Sequence, residues 1–282
     1  MNKKRNKIKL TIVIDNYVNT AGLIAEHGWS IMIENGNERI LFDTGADDLL
    51  LKNLKYLGFI PSMIDKIFIS HGHFDHTGGL FQISKSSGKE IELFAHEDIF
   101  DRKYKLTKSI KNIYIGMPYS KEKYIENGIR FKLDKGPIKI SDNIYTTGEI
   151  RSSISFEKPD KNFIKKKNGF YMMDDLKDDT AVIIETVRGN ILITGCAHRG
   201  IINIIKQAQR LSGKDEFLAV IGGFHLSHKS EKYISKIICE LKKFEIKNII
   251  PSHCTGPEGY FAIKNEFGKK CEFGYVGKEI IF

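Results

Sequence analysis

Apolar residues in the first part of the chain follow strand and helix patterns in turn. Ile8–Asp15 is a β-branched run that predicts a strand. Ser30–Glu34 and Arg39–Asp43 flank an Asn-Gly pair, which supplies the positive φ values that a tight hairpin turn requires. Leucines recur at helical spacing over Asp47–Leu57, and Ile64–Ser70 returns to the strand pattern. The sequence therefore predicts a strand, a hairpin and a strand–helix–strand unit.

A similar order of elements recurs near the end of the chain. The sequence predicts a hairpin from Thr180–Val187 and Asn190–Thr194, helices over Ile201–Leu211 and Ser230–Phe244, and strands over Phe217–Ile221 and Ile246–Ile250. The segments KIFISHGHFDHTGGL and NILITGCAHRGIINI also run alike, from an apolar strand through a His-bearing loop and small residues to a helix. We therefore expect two halves of similar plan.

Strands that alternate with helices in each half predict an α/β (α+β) fold. Two such sheets can pack face to face with helices outside, giving four layers around one crevice. Residues 101–177, between the halves, are less periodic and heavily basic, and include Lys165–Lys167 before an Asn-Gly turn signal. We expect one domain over residues 1–282, with this segment as an insertion that shapes or covers the site.

Composition and charge narrow the class of protein. The 282 residues are 41% hydrophobic, which is enough for a full core. No stretch reaches the roughly 18 apolar residues of a membrane span, and Met1–Lys9 lacks the apolar run of a signal peptide, so a cytoplasmic protein without a membrane partner is expected. The net charge of +9 comes from scattered lysines, whereas nucleic-acid contact usually needs a clustered patch. It favours a small anionic partner over nucleic acid.

The four cysteines are too few and too unevenly spaced for a disulfide framework in a chain of this length. They are Cys196, Cys239, Cys254 and Cys271. We expect reduced thiols or metal ligands. Cys239 falls on an apolar helical face and is predicted to be core, whereas Cys254 directly follows His253 and should lie near any metal that His253 binds.

The strongest chemical signal is the segment HGHFDH, directly after the strand that ends at Ser70. Its four potential ligands, His71, His73, Asp75 and His76, occupy six positions. On a turn leaving a strand, alternate residues can face one cation while the next pair faces a second, so two metal ions fit this spacing better than one. Imidazole and carboxylate ligands suit zinc, with iron or manganese as alternatives. A bound ion would also offset the cost of packing these polar groups together.

HGHFDH after a strand, together with the earlier FDTG, resembles the metallo-β-lactamase superfamily. The resemblance implies a four-layer αββα sandwich with a metal site along the top of its sheets, and it covers nearly the whole chain. The segments DNYVNTAGLIAEHG, LITGCAH, GGFHL and PSHCTG are similar to the branch that carries the name dihydropterin ribofuranosylaminobenzene phosphate synthase.

The resemblance implies roles for particular residues. His71 and His73 match the first metal site, Asp75 and His76 match the second, and His253 matches the last histidine ligand. No separate organic cofactor is implied. The cofactor expected is therefore a pair of divalent ions, with zinc preferred.

Three further positions concern how these ligands are held and bridged. Asp43 matches the aspartate that usually holds the ligand loop by hydrogen bonds. Where the family commonly has a metal-bridging Gly-Asp, this chain has Gly-Cys, so Cys196 is predicted to be a thiolate ligand, with a small buried hydrophobic residue as the alternative. His198 is a catalytic candidate that either bridges the metals or binds substrate.

Another departure lies where the family usually has Gly-His, because this chain has Gly-Glu at Glu149. Either Glu149 supplies a carboxylate ligand or the first site is open. His225 resembles the histidine that phosphodiesterase members place beside the leaving group, and it is predicted to act as a general acid or oxyanion stabiliser, with a capping or core role as the alternative. His27, His96 and His228 are predicted to be structural.

These residues support several functions. The first hypothesis is a metal-dependent hydrolase of a small anionic ester or phosphoester, in which Asp75 orients the attacking water, His225 protonates the leaving oxygen and Lys165–Lys167 hold the anion. The second is a transferase that joins a pterin diphosphate to a ribofuranosylaminobenzene phosphate. A nuclease would be expected to carry a long basic arm, and none is evident. A metal-binding protein without turnover is the non-enzymatic alternative.

Overall fold

The computed structural model describes residues 7–107 and 112–282, so residues 1–6 of the charged N-terminal stretch and residues 108–111 of the predicted insertion lie outside it. The strands in these ranges are β1 (Ile8–Ile14), β2 (Ser30–Asn35), β3 (Glu38–Phe42), β4 (Lys66–Phe68), β5 (Ile91–Ala95), β6 (Arg102–Lys105), β7 (Ile113–Tyr114), β8 (Ile129–Leu133), β9 (Lys139–Ser141), β10 (Ile144–Thr146), β11 (Phe163–Lys167), β12 (Phe170–Met173), β13 (Ala181–Thr186), β14 (Gly189–Thr194), β15 (Glu216–Gly223), β16 (Glu245–Ile246), β17 (Ile249–Ser252) and β18 (Glu279–Ile281). The helices are α1 (Leu49–Tyr56), α2 (Phe74–Thr77), α3 (Leu80–Ser87), α4 (Lys121–Glu126), α5 (Ile201–Ser212), α6 (Glu231–Leu241) and α7 (Gly256–Phe267).

The described strands form two large sheets and one small sheet. The first large sheet has the order β18-β1-β2-β3-β4-β5-β8. The second has the order β16-β15-β14-β13-β10-β9, with β17 also paired to β15. The small sheet has the order β12-β11-β6-β7.

Each large sheet is built around a hairpin followed by parallel strands. In the first sheet β2 and β3 are antiparallel, and β4 and β5 then add in parallel. In the second sheet β13 and β14 are antiparallel, and β15 and β17 add in parallel. The two predicted hairpins and the similar plan of the halves are confirmed.

Residues on the central strands alternate between two buried layers. Ile40 and Phe42 of β3 and Ile191 and Ile193 of β14 belong to one apolar cluster, which lies between the two large sheets. Leu41 of β3 instead packs in a cluster with α1 and α3. Leu192 of β14 packs in a cluster with α5, α6 and α7. Because side chains on a strand alternate between its faces, each sheet has the other sheet on one side and helices on the other. The predicted αββα sandwich is confirmed.

Three details of the sequence interpretation were wrong. The strand predicted over Ile246–Ile250 is two short strands, β16 and β17. In each sheet the first parallel strand after the hairpin is β4 or β15, so these two strands are equivalent. The similarity between KIFISHGHFDHTGGL and NILITGCAHRGIINI instead implies that β4 is equivalent to β14. Cys239 is exposed, because the buried side of α6 is formed by Ile234, Ile237 and Leu241.

Residues 101–177 contribute strands to all three sheets. β8 extends the first large sheet, β9 and β10 extend the second, and β6, β7, β11 and β12 form the small sheet. The limits of an insertion within one domain remain a prediction. The longest described helices, α5 and α7, have 12 residues each, and none of the described helices has the length and apolar character needed to cross a bilayer.

Candidate metal centre

The ligand loop of the first half begins where β4 ends. His71 and His73 lie on the loop, and Asp75 and His76 lie on the short helix α2 that follows it. This helix ends against the chain after β3: a Cβ on Gly78, directly after α2, would lie 1.9 Å from the carbonyl oxygen of Ala46. Glycine is therefore required there, and it brings the ligand loop against the neighbouring strand end.

In the second half the candidate residues come from three different strand ends. Cys196 and His198 follow β14, His225 follows β15, and His253 and Cys254 follow β17. These strands are parallel neighbours, so their carboxyl ends lie along one edge of the sheet. Ligands in open α/β sheets bind outside such edges.

Three imidazoles form what we call the histidine group: His71, His73 and His198. One ring nitrogen from each lies within 4.8 Å of the others, and all three residues are buried. His71 Nε2 is 3.0 Å from His73 Nδ1, and the His198 ring centroid is 4.8 Å from that of His71. The structure thus brings His198 to the two histidines of the first predicted metal site.

The electrostatics of the histidine group fit metal binding. Burial lowers the pKa of His73 to about 3 and holds the pKa values of His71 and His198 well below the usual histidine value, so all three are neutral imidazoles. Among the described residues, His73 Nε2 and both ring nitrogens of His198 are buried without a hydrogen-bond partner. Unpartnered buried nitrogens are costly, and a bound cation would satisfy them.

A second set, which we call the mixed group, consists of Asp75, His76, Cys196 and His253. Asp75 Oδ2 lies 3.6 Å from His76 Nε2 and 3.4 Å from His253 Nε2, and His76 Nε2 lies 3.1 Å from Cys196 Sγ. Ligand atoms of a tetrahedral zinc site are about 3.3–3.8 Å apart, given bonds of about 2.0–2.3 Å. The mixed group therefore has the donor types and spacing of one cation site.

Charges within the mixed group set its protonation. Burial alone would raise the pKa of the Asp75 carboxyl, but the adjacent His76 and His253 outweigh burial and hold that pKa below its usual value. Burial raises the pKa of the Cys196 thiol, and hydrogen bonding to Cys254 adds to the effect. A bound cation reverses this, because a coordinating thiol loses its proton.

Asp43 holds the ligand loop from below, as predicted. Its Oδ1 accepts a 2.7 Å hydrogen bond from the backbone N–H of Ser70, and its Oδ2 accepts a 2.7 Å bond from the Ser70 hydroxyl. Oδ2 is also 2.6 Å from His76 Nδ1. The contact with Nδ1 leaves His76 Nε2 free to face the mixed group, which is how carboxylates usually orient metal-binding histidines.

Asp15 and Asn16, at the end of β1, hold His253 in a similar way, and the sequence analysis did not single them out. Asp15 Oδ2 accepts a 3.0 Å hydrogen bond from the His253 backbone N–H. Asn16 Oδ1 is 2.8 Å from His253 Nδ1, so Nε2 faces the mixed group. Both residues open the segment DNYVNTAGLIAEHG that carries part of the family resemblance, and this was the signal for them.

A buried ion pair supports the ligand loop from the small sheet. Lys103 Nζ lies 2.8 Å from Asp178 Oδ1 and 2.9 Å from Asp174 Oδ2. Asp178 Oδ2 accepts a 2.8 Å hydrogen bond from the N–H of Gly72, between the ligands His71 and His73. Burial alone would lower the pKa of Lys103, but the two carboxylates outweigh it and raise that pKa. Sequence spacing gave no signal for this contact, since it joins residues 106 positions apart.

His27 and Phe163 line the mouth of the site. His27, predicted to be structural, has Nε2 3.5 Å from Asp75 Oδ2, and most of its side chain is exposed. The ring centroid of Phe163, the first residue of β11, lies 5.1 Å from that of His198 and 5.2 Å from that of His73. Residues 101–177 therefore reach the site through Phe163.

Several other candidates lie outside the two groups. Glu149 Oε1 is 3.3 Å from His96 Nε2, and His96 caps a short turn by accepting the Asp98 N–H. Glu149 is thus not placed as the third ligand beside His71 and His73. His228 is exposed.

Two of the three lysines of the run Lys165–Lys167 are engaged in contacts within the small sheet and its neighbours. Lys165 Nζ pairs with Asp101 at 3.0 Å, and Lys166 lies over the ring of Tyr171. Lys167 is exposed. These contacts do not favour the anion-holding role predicted for Lys165–Lys167, and we do not retain it.

Four residues at the strand ends have positive φ although they are not glycine. They are Asp43 (55°), Ala197 (58°), His225 (50°) and His253 (48°). Each lies within one residue of a candidate ligand, is one itself, or holds one. The chain is therefore strained at its candidate site.

The αββα fold, the ligand loop and the facing histidines together are typical of one family of proteins. Comparison with known proteins identifies that family. Residues 23–253 match the family described as the metallo-beta-lactamase superfamily. The chain belongs to the metallo-β-lactamase superfamily, which confirms the resemblance seen in HGHFDH.

Two curated relatives align along nearly the full length. One, from Methanocaldococcus jannaschii, is named 7,8-dihydropterin-6-methyl-4-(beta-D-ribofuranosyl)-aminobenzene-5'-phosphate synthase; it is 37% identical over 99% of this chain and 98% of its own length. The other, an uncharacterised protein of the same organism, is 33% identical over 96% of this chain and 99% of its own length.

Among solved structures, this chain is similar to Tm1679, described as a metal-dependent hydrolase of the beta-lactamase superfamily. The TM-score is 0.83 with 27% identity, over 97% of this chain and 98% of that one. A diphosphatase of the PhnP family, at 14% identity and a TM-score of 0.55, shares the fold.

Proposed function

We propose that the protein is a metal-dependent hydrolase of a small phosphoester or related anionic ester, and that the histidine group and the mixed group each hold one divalent cation. Zinc is preferred because its usual ligands are imidazole, thiolate and carboxylate, with iron or manganese as alternatives. The observation that carries the proposal is the buried, unpartnered set of nitrogens of His73 and His198 directly beside the mixed group. His198 is the proposed third ligand of the histidine group, in place of a bridging or substrate role.

Different residues of the site have different proposed roles in ester cleavage. When bound, divalent cations supply the Lewis acidity that makes water nucleophilic at neutral pH and offsets developing negative charge. Asp75 is an ionised carboxylate with its Oδ2 in the mixed group, so it can orient the attacking water and accept its proton. His27, 3.5 Å from that oxygen, can pass the proton to solvent.

His225 is the proposed proton donor to the leaving oxygen. Its ring centroid is 4.4 Å from that of His198, and its side chain is only half-buried, so it borders both the histidine group and the open crevice. The ring of Phe163 covers the same side, with its centroid 6.3 Å from that of His225. This placement fits a group that meets the leaving atom and exchanges its proton with water.

The test is turnover of simple chromogenic phosphoesters by the metal-loaded protein in water enriched in ¹⁸O. We expect one ¹⁸O atom in the product acid and a loss of activity in His225→Ala that depends on the leaving group. Phosphoesters with poor leaving groups should lose most, because they need protonation. Equal losses for good and poor leaving groups would overturn the role of His225, and the absence of turnover across phosphoesters and carboxylic esters would overturn the hydrolase.

A second candidate is the transferase that joins a pterin diphosphate to a ribofuranosylaminobenzene phosphate, and the full-length relative named as such a synthase favours it. Both reactions displace an anionic leaving group, so the same residues serve them. The discriminating measurement is the need for a second substrate. Product that forms only when the aminobenzene phosphate is added, without ¹⁸O uptake, would favour the transferase.

A further inference from the structure

A third set of potential ligands lies beside the two groups, and we call it the thiolate group: Cys196, His225 and Cys254. One ligand atom from each lies within 4.8 Å of the others. The three residues come from the ends of β14, β15 and β17, and only Cys196 is shared with the mixed group. The donor set is thus convergent, although its members are far apart in the sequence.

The sulfur atoms of the thiolate group make weak polar contacts that a cation could replace: Cys254 Sγ donates to the Cys196 carbonyl oxygen at 3.4 Å, and Cys196 Sγ is 3.1 Å from His76 Nε2. All four cysteines of the chain are free thiols. His225 Nδ1 is buried and has no hydrogen-bond partner among the described residues. A Cβ on Gly223 would lie 2.6 Å from Cys254 Sγ, so this glycine makes the room that lets the thiol approach Cys196.

The geometry points to a third cation position, for which we propose a soft divalent ion such as Zn²⁺ bound by Cys196, His225 and Cys254. Two thiolates and one imidazole, with a fourth position left open, are the donor set of one class of zinc site. Soft sulfur ligands disfavour Mg²⁺ and Ca²⁺ at such a position. Cys254 and His225 are half-buried, which leaves the open position facing the crevice.

Filling this position would change the proposed reaction. A cation bound to one ring nitrogen of His225 would keep the ring from becoming the imidazolium that the proposed function uses to protonate the leaving oxygen. Excess zinc should therefore inhibit turnover, and this consequence rests on the proposed function. The cation position itself does not, because it is argued from donor atoms alone.

The test is a Co²⁺ titration of the metal-free full-length protein, followed by absorption in the near-ultraviolet, where sulfur-to-cobalt charge transfer appears. We expect three equivalents of Co²⁺ to bind, with the third adding charge-transfer intensity. Cys254→Ser should lose one equivalent and that added intensity. His225→Ala should also lose one equivalent while retaining its cysteines, and Cys239→Ser, which removes an exposed thiol on α6, should match the unmodified protein.

Other outcomes would overturn the proposal. Saturation at the same number of equivalents in the unmodified protein, Cys254→Ser and His225→Ala, with unchanged charge-transfer intensity in Cys254→Ser, would show that the thiolate group holds no ion of its own. Melting curves of each metal-free variant exclude misfolding as the cause of a lost equivalent. The third equivalent can be present even if no substrate is turned over, so failure of this proposal and failure of the proposed function are distinguishable.

Discussion

The two halves of the chain supply candidate ligands in different ways. The first half concentrates four of them, His71, His73, Asp75 and His76, in the loop and short helix after β4. The second half distributes its donors over the ends of β14, β15 and β17, at one or two per strand end. The same hairpin-and-parallel-strand plan therefore supports a compact loop in one sheet and a dispersed row in the other. The histidine group and the mixed group each draw on both halves, whereas the thiolate group draws on the second half alone.

The largest expected effect tests whether the two halves share the histidine group. His73→Ala and His198→Ala should each remove about one equivalent of bound zinc and lower activity at least about 100-fold, because a structural or catalytic zinc needs three or more protein ligands. Zinc content by mass spectrometry of the purified proteins checks this.

Glu149→Gln is the matched control, since Glu149 contacts His96 and lies outside the histidine group. It should keep its zinc. Full zinc content in His198→Ala alone would show that the first half binds this ion without the second and would break the comparison.

A smaller effect is expected for the residues that hold ligands rather than bind metal. Asp43→Asn weakens the hold on His76, and Asn16→Ala removes the partner of His253 Nδ1. Each should weaken zinc binding about 10- to 100-fold, the usual range for such supporting contacts. Competition with a chelator of known affinity measures the change.

Asn127→Ala is a suitable control, because Asn127 is half-buried and its side-chain amide donates to the Lys123 carbonyl oxygen within the same helical turn. Equal losses of zinc affinity in Asn16→Ala and Asp43→Asn would sharpen the comparison. They would show that the ligands of the two halves depend equally on the residues that orient them. Unchanged affinity in both variants would contradict the supporting role.

The smallest expected effect is on the free energy of unfolding, and it concerns a buried carboxyl group that packs against the second half. Glu157 is buried against the start of α5, where its carboxyl oxygens accept the N–H groups of Ile202 and Asn203. Burial raises the pKa of Glu157 to about 7, from an ordinary value of 4.5. Between these values the folded protein keeps a proton that the unfolded chain has lost, so the free energy of unfolding should fall as the pH rises from about 5 to about 7.

Melting temperatures of the metal-free protein across this pH range, compared with those of Glu157→Gln, measure the contribution. The unmodified protein should lose a few degrees relative to the variant as the pH rises. Parallel curves for the two proteins would show that Glu157 does not titrate in this range.

The elements that could be predicted from the sequence are those whose pattern is local. The hairpins of both halves, the helices α1, α5 and α6, and the ligand loop after β4 carry period-2 or helical patterns or a dense motif. The small sheet was not predicted, because its strands are short and their residue types do not match their burial. The apolar strand β12 is exposed at all four positions, whereas β6 and β11 bury lysines in ion pairs.

The partner of His71 and His73 could not be predicted for a different reason. His198 reaches them across the interface between two sheets, and the distance depends on how the sheets pack. Sequence spacing does not encode that packing, so Glu149 was as good a candidate. The position of His27 beside Asp75 was not predicted, because the sequence around a single exposed histidine gives no signal of which residue it will contact.

The left-handed backbone at Asp43, Ala197, His225 and His253 has a consequence for how such a protein can change. Each of these residues costs about 1 kcal/mol relative to glycine at the same position. Glycine would relieve this cost at Ala197, but at Asp43 it would remove the buried hydrogen bonds to Ser70. At His225 and His253 it would remove a candidate donor. Thermostable variants of this chain that still bind ions should therefore gain their stability elsewhere, in loops and surfaces remote from the crevice.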